Sequence, residues 1–102
     1  MKYKPYKVVN HQSTISELVA SDKDIIVWGD VFCVIRYPDS AGRNYYAFTH
    51  KQTTAAITAP MRNYKEAVRV GLQVLETNGE VRFRNQLSKI RCSEQYLKLK
   101  GL

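Results

Sequence analysis

Short apolar and alternating stretches fill most of the first half of the chain, and they predict a small β-sheet. Residues 31–37 are apolar at both odd and even positions, a pattern typical of a central strand that is covered on both faces. The turn signal at residues 38–42, Pro-Asp-Ser-Ala-Gly, predicts an antiparallel return after this strand. Further short strands are predicted at residues 6–9, 25–28, 44–49 and 54–58.

The spacing of apolar residues becomes helical in two places. From residue 64 to about residue 77 they recur every three or four positions, with Asn63 as the N-cap and Asn78-Gly79 as the C-terminal stop. Thr14 and Glu17 have the spacing of a capping box, and they predict a shorter helix that ends near residue 21.

The C-terminal part is predicted to begin with another strand. Residues 80–84 alternate, so that Val81 and Phe83 are expected to face the core and Arg82 and Arg84 to face solvent. The tail after this strand fits helical and strand spacing equally. Together the elements predict a single α+β domain over residues 1–102. It has a small antiparallel sheet of three to five strands, a short N-terminal helix and one longer helix packed on one face, and a basic C-terminal tail.

Length and composition are typical of one soluble globular domain. The chain has 102 residues, of which 44% are hydrophobic, and no run approaches the roughly 20 apolar residues of a membrane span. No apolar stretch of a signal peptide follows the first residues, so a cytoplasmic location without a membrane partner is expected. Cys33 lies in an apolar strand and Cys92 in a polar stretch, and reduced thiols are favoured over a disulfide between them.

Residues that could support catalysis or metal binding are few and scattered. His11 and His50 are the only histidines, and neither has a second ligand at a useful spacing, so no metal and no cofactor are expected. Cys33 is interpreted as a core residue and His50 as a hairpin-end residue near water, rather than as a nucleophile and its base. Asp30 and Asp39 flank the central strand and are interpreted as turn residues. The glycines are isolated and form no phosphate-binding loop, and the sequence predicts a protein that is not an enzyme.

The net charge of +7 is concentrated at the two ends of the chain. Residues 1–11 carry three lysines and no acid, residues 12–79 carry seven bases and seven acids, and residues 80–102 carry six bases and two acids. Aromatic residues lie among these cations, which favours nucleic acid, because Lys and Arg displace counterions from phosphates and tyrosine rings stack on bases. If the terminal strands pair or lie side by side, both sets are expected to merge into one basic face. The candidate residues of this face are Lys2, Tyr3, Lys4, Tyr6, Lys7, Arg82, Arg84, Lys89, Arg91, Lys98 and Lys100.

A second candidate patch comes from the electrically balanced middle of the chain. Its residues are Arg36, Arg43, Arg62, Lys65 and Arg69.

Two functions follow as alternatives from these patterns. The first is a small non-enzymatic accessory or regulatory protein that binds DNA or RNA through the basic face of its termini. The second is a protein-interaction module, such as an inhibitor or adaptor of the kind that phages and other mobile elements encode, which binds an acidic or nucleic-acid-handling partner protein. The many tyrosines, a residue type enriched at interfaces, favour this second hypothesis. The basic ends also have a purely structural explanation, in which they are solvated and their lysines protect an edge strand from aggregation. An exposed edge strand would also permit a homodimer.

Overall fold

The computed structural model describes residues 2–9, 14–91, 97–98 and 100–101. These residues form one antiparallel sheet of five strands and two α-helices, so the predicted α+β class, antiparallel sheet and longer helix are confirmed. In chain order the elements are β1 (Tyr3–Val9), β2 (Ile15–Ser21), β3 (Ile25–Val27), β4 (Asp30–Pro38), β5 (Asn44–His50), α1 (Tyr64–Asn78) and α2 (Glu80–Arg91).

Strand β4 is the centre of the sheet. Strand β5 pairs with one edge of β4 along its whole length, from Phe32 opposite His50 to Pro38 opposite Asn44. Strands β2 and β3 share the other edge, and β1 extends the sheet beyond β2.

Strands β2 and β3 behave as two segments of one bent strand. Ala20 and Ile25 are five positions apart, whereas their partners on β4 are three positions apart, so the chain bulges by two residues between them. At the bulge, the Ser21 hydroxyl accepts a hydrogen bond of 3.2 Å from the Val34 amide. This bond satisfies a backbone donor that the interrupted ladder would otherwise leave unpaired.

The side chains of β4 are buried on both faces of the sheet, as the sequence predicted. Phe32 and Val34 point to the face that carries the helices, which we call the helix face; there Phe32 stacks on Phe48 with ring centroids 5.1 Å apart. Cys33 and Ile35 point to the opposite face, which we call the second face, and the interpretation of Cys33 as core is confirmed. The second face is completed by Val8 and Ala20, with Tyr6, Leu18 and Tyr37 packed around them.

The sheet curls around its second face, so that β1 contacts the segment that follows β5. The Tyr6 hydroxyl donates a hydrogen bond to the Lys51 carbonyl, and the Val9 amide donates one of 3.1 Å to the Thr54 hydroxyl. These two bonds hold β1 over the cluster on the second face, which therefore forms a small core of its own.

The strand predicted at residues 54–58 is replaced by irregular structure along the outer edge of β5. Ala56 and Met61 make isolated bridges opposite Thr49 and Tyr46. Thr54 has a φ of 60°, a conformation that β-branched residues rarely adopt, and it interrupts any extended run at this point. The segment nevertheless covers the edge of β5 and protects its backbone from other strands.

Helix α1 begins and ends where its capping residues predict. The Asn63 side chain accepts a hydrogen bond of 2.7 Å from the Glu66 amide, and the Gly79 amide donates one of 2.9 Å to the Leu75 carbonyl. The apolar stripe of α1 packs on β5 and β4. The helix therefore lies across the centre of the sheet, and its first turn projects towards the end where β1 begins.

The predicted N-terminal helix is wrong, because residues 15–21 form β2. This strand pairs with β1 over seven residues, from Val9 opposite Ile15 to Tyr3 opposite Ser21. A capping box contributes about 1 kcal/mol, which a full ladder of cross-strand pairs exceeds. Local helix preference is a weak signal when the alternative is burial in a sheet.

The strand predicted at residues 80–84 is also wrong, because these residues begin α2. Phe83 and Leu87 lie four positions apart and both pack into the core on the helix face. Val81, which was expected to face the core, is 76% exposed. The core residues of this segment thus follow helical spacing rather than the local alternation. Glu80 supports the first turn through an ion pair with Arg84, with Oε2 and Nη2 3.5 Å apart.

Candidate nucleic-acid interface

Residues from both candidate sets meet where the start of β1 faces the first turns of α1. An open cavity of about 720 Å³ lies there, which we call the Tyr3–Tyr64 cleft. Its lining residues are Tyr3, Asn63, Tyr64, Lys65, Glu66 and Arg69. Tyr3 was predicted in the terminal face, and Lys65 and Arg69 in the second patch.

The fold explains why these side chains converge. Tyr3 lies opposite Ser21 in the β1–β2 ladder, and β2 in turn pairs with β4 beside Arg36. Lys65 and Arg69 are four positions apart in α1, so both project from one face of the helix. Both cations are exposed, whereas the rings of Tyr3 and Tyr64 are half-buried.

Two contacts hold the aromatic rings in place. The guanidinium carbon of Arg36 lies 4.5 Å from the centroid of the Tyr3 ring, which is the geometry of a cation–π contact. The Tyr64 ring packs against the core cluster of the helix face. Both rings are therefore positioned by the folded chain alone.

The hydroxyls of both rings stay neutral at ordinary pH. Burial raises the pKa of Tyr3, and neighbouring Tyr46 raises it further, although the Arg36 charge acts in the opposite direction. Burial also raises the pKa of Tyr64, against the effect of its hydrogen bond to Ser21. Neither ring thus adds a negative charge that would repel an anionic ligand.

The charge of the cleft is mixed but mainly cationic. Lys65 and Arg69 contribute two positive charges to the lining, and Glu66 contributes one negative charge. Arg36 stands beside the cleft on Tyr3, and it also lines a smaller cavity of about 280 Å³ with Glu17.

The remaining residues of β1 and of the second patch do not line the cleft. Lys2, Lys4 and Lys7 are exposed at the sheet edge. Tyr6 points away from the helix face, and its hydroxyl is engaged by the Lys51 carbonyl. Arg43 lies in the turn between β4 and β5, where its amide donates to the Asp39 carboxylate. Arg62 precedes α1 and lies over the Tyr45 ring, 5.7 Å from its centroid.

No described cation of the C-terminal set lines the cleft. Arg82 and Lys89 are exposed on α2, which packs on α1, whereas β1 pairs with β2. Residues 80–84 are helical, so this segment is not a terminal strand that could pair with β1 or lie beside it and merge the two basic sets. Lys98 and Lys100 are exposed. The side chain of Arg91 lies outside the described part of the structure, as do His11 and Cys92.

Arg84 is part of a partly buried polar cluster that sequence reasoning missed. It forms an ion pair with Asp30 and donates to the Trp28 carbonyl. The other oxygen of Asp30 lies 3.1 Å from His50 Nε2, and His50 Nδ1 lies 2.8 Å from the Thr53 hydroxyl. His50 is 1% exposed, so the expectation that it lies near water is wrong. Its ring is instead packed between polar partners and the rings of the core.

Sequence reasoning also missed Tyr64, Asn63 and Glu66 as residues of the cleft. The sequence placed Tyr64 in the apolar stripe of α1 and Asn63 at its N-cap. The structure shows Tyr64 packed against the core and Asn63 capping the helix. Their position could have identified them, because they flank Lys65 at the start of a helix whose apolar stripe requires packing against the sheet.

The described residues offer no other chemistry of this kind. Among them, no group of three His, Cys, Asp or Glu side chains is placed to hold a metal ion. Neither described helix has the length and apolar character required to cross a membrane. Comparisons with family models, with curated proteins and with solved structures give no match to this chain.

Proposed function

We propose that this protein is a small nucleic-acid-binding accessory or regulatory protein that works without catalysis, and that it binds its ligand at the Tyr3–Tyr64 cleft. The observation that carries the proposal is the meeting of two tyrosine rings with Lys65 and Arg69 around one open cavity. A phosphate backbone needs cations, and bases need flat apolar surfaces, so this combination fits both parts of a nucleotide.

The surroundings of the cleft support the same ligand. Its volume of about 720 Å³ lies within the 300–1,000 Å³ typical of ligand sites. Lys7 is exposed four positions beyond Tyr3 and on the same side of β1, so a strand leaving the cleft along β1 would meet a further cation. Arg36 is held on the Tyr3 ring, where a planar guanidinium can also contact a phosphate.

Salt-dependent binding tests the proposal. Fluorescence anisotropy with labelled 20-mers of DNA and RNA, measured between 25 and 200 mM salt, should show affinity that falls steeply as salt rises. With about four phosphate contacts, the slope of log K against log salt should be roughly −3 for a single strand. Absence of binding at the lowest salt, or affinity that does not change with salt, would overturn the proposal.

A matched pair of double variants locates the site. Lys65→Gln with Arg69→Gln removes two charges from the cleft, and Arg82→Gln with Lys89→Gln removes two exposed charges from α2. The cleft variant should weaken binding at least tenfold and make the salt slope shallower by about 1 to 2, because each lost phosphate contact removes about one unit. The α2 variant should change affinity less than twofold. Equal effects of the two would place the contact outside the cleft.

The same wild-type and variant proteins distinguish nucleic-acid binding from the alternative function, a protein-interaction module. Pull-down from a nuclease-treated lysate should lose every partner if nucleic acid is the ligand. A stoichiometric protein that survives nuclease treatment and fails to bind the cleft variant would instead assign the cleft to a protein partner.

A further inference from the structure

We infer that the ligand of the Tyr3–Tyr64 cleft is a single strand, and that one unstacked base enters the cleft and stacks on its tyrosine rings. This inference rests on the proposed function and adds the strand type and the mode of binding. It starts from the composition of the cleft, a wide and open depression in which two aromatic rings lie beside two cations.

A duplex does not fit this geometry. Its bases are stacked and paired inside the helix, and only their edges and the backbone are accessible to a protein. Extruding one base from a duplex costs a few kcal/mol, whereas a single strand already presents unstacked bases. Cations alone would suffice for a duplex backbone, and the accessible parts of the Tyr3 and Tyr64 rings would then contact no ligand.

The rings are prepared for stacking before any ligand arrives. Arg36 covers one face of Tyr3 at 4.5 Å, and packing against the core cluster of the helix face restrains Tyr64. Restraint of this kind lowers the conformational entropy lost on binding. Tyr3 is carried by the sheet and Tyr64 by α1, so the base would lie at the junction of the two layers.

The cations are placed to hold the backbone beside such a base. Lys65 and Arg69 line the same cavity from one face of α1, one helical turn apart. A base that enters the cleft therefore brings its own phosphate next to both charges. The structure thus provides stacking and charge neutralisation for the same nucleotide.

Three probes of the same length test the inference by anisotropy at one salt concentration. They are a mixed-sequence single-stranded 12-mer, the duplex of that sequence, and a 12-mer in which every base is replaced by an abasic sugar. The duplex carries twice the phosphates of either single strand, so binding through charge alone would favour the duplex. The single strand should bind at least tenfold more tightly than the duplex and than the abasic strand. Equal affinity for all three would overturn the inference and leave backbone binding intact. Absence of binding to all three would overturn the proposed function itself.

Paired substitutions at the rings supply the second measurement. Tyr3→Leu and Tyr64→Leu remove the rings, and each should weaken single-strand binding at least fivefold while leaving affinity for the abasic strand unchanged. Tyr3→Phe keeps the ring and should bind within twofold of the wild type. Because Tyr3 lies near the start of an edge strand, its variants are expected to fold even if those of Tyr64 do not. Equal losses for the single strand and the abasic strand would contradict stacking.

Discussion

Arg84 in α2 forms an ion pair with Asp30, the first residue of the central strand β4, although 54 positions separate them in sequence. A second guanidinium nitrogen of Arg84 donates to the Trp28 carbonyl in the turn before β4. Both central residues of that turn, Trp28 and Gly29, have positive φ angles of 52° and 79°, as a tight hairpin between β3 and β4 requires. Arg84 therefore joins the C-terminal helix to the most constrained turn of the sheet.

Arg84→Gln is expected to lower the free energy of unfolding by about 1–2 kcal/mol, because it removes charge-assisted bonds to a carboxylate that is mostly shielded from water. The Arg84 side chain is 42% exposed, which keeps the loss below that of a buried pair. Urea denaturation measures it. Arg82→Gln, on the exposed face of the same helix, is the control and should change stability by less than 0.5 kcal/mol. A loss of the same size in both variants would show that the ion pair contributes nothing specific.

The same carboxylate is expected to make stability depend on pH in acid. Burial acts to raise the pKa of Asp30, but the hydrogen bond with His50 and the charge of Arg84 outweigh it, so the pKa lies below its usual value. As pH falls, the Asp30 carboxylate of the unfolded chain therefore becomes protonated at a higher pH than that of the folded protein. The stabilisation is complete above the unfolded pKa of about 3.9 and is lost as pH falls through the lower folded value.

Asp30→Asn tests this prediction directly. The difference in unfolding free energy between wild type and variant should shrink as pH falls below about 4. Urea denaturation at stepwise pH measures it. A difference that stays constant down to pH 2 would show that Asp30 does not carry the acid dependence.

Gly71 is expected to tolerate no side chain, although it lies in the middle of a helix. A Cβ at this position would overlap the Phe48 ring and lie 2.6 Å from the Phe48 Cβ. Alanine in place of glycine normally stabilises a helix by about 1 kcal/mol, but overpacking a core costs about 1–3 kcal/mol or more. Because Phe48 is fully buried against Phe32, it cannot move aside, and Gly71→Ala should destabilise the protein by at least 1 kcal/mol. Thermal unfolding of the variant measures this, and a raised midpoint would contradict the close approach.

The parts of the fold that could be predicted are those where local and tertiary signals agree. Helix α1 has a cap, an apolar stripe and a stop that all indicate the same element, and β4 is apolar on both faces because it is covered on both. The errors arose where a local pattern competed with a distant partner. Pairing of β2 with β1 outweighed the capping box at Thr14. Val81 belongs to an alternating pattern typical of a strand, but it lies on the exposed side of α2.

The candidate site was predictable in its residue types but not in its assembly. Tyr3, Lys65 and Arg69 were identified from charge and aromatic content, yet they were assigned to two different patches. Their meeting depends on the register between Tyr3 and Ser21 and on the position of α1 over β5, which are long-range properties of the chain. The cluster of Asp30, His50 and Arg84 could not be predicted either. Its assembly requires Arg84 to lie in a helix, whereas the sequence pattern predicted a strand there.

Cys33 is expected to be chemically inert in the folded protein. It is a free thiol with no exposed surface, and burial raises its pKa to about 11, so the reactive thiolate is scarce at neutral pH. In a Cys92→Ser chain, alkylation of Cys33 by iodoacetamide should proceed only through unfolding, and its rate should follow the rise in unfolded fraction with urea. Rapid modification without denaturant would show that the second face opens locally.

Glu66 is expected to limit the affinity of the Tyr3–Tyr64 cleft and to select among bases. Its carboxylate lines the cavity beside Lys65 and Arg69, where it repels phosphate but can accept a hydrogen bond from the amino group of adenine, cytosine or guanine. Thymine presents a single N–H between two carbonyl oxygens and should bind less well. Glu66→Gln keeps the helix start, because the Asn63 cap bonds the backbone amide of residue 66. It should raise affinity for a thymine 12-mer at least twofold and reduce the preference for a cytosine 12-mer measured by anisotropy. Equal gains for both oligonucleotides would show that Glu66 acts through charge alone, and no change for either would place its carboxylate away from the ligand.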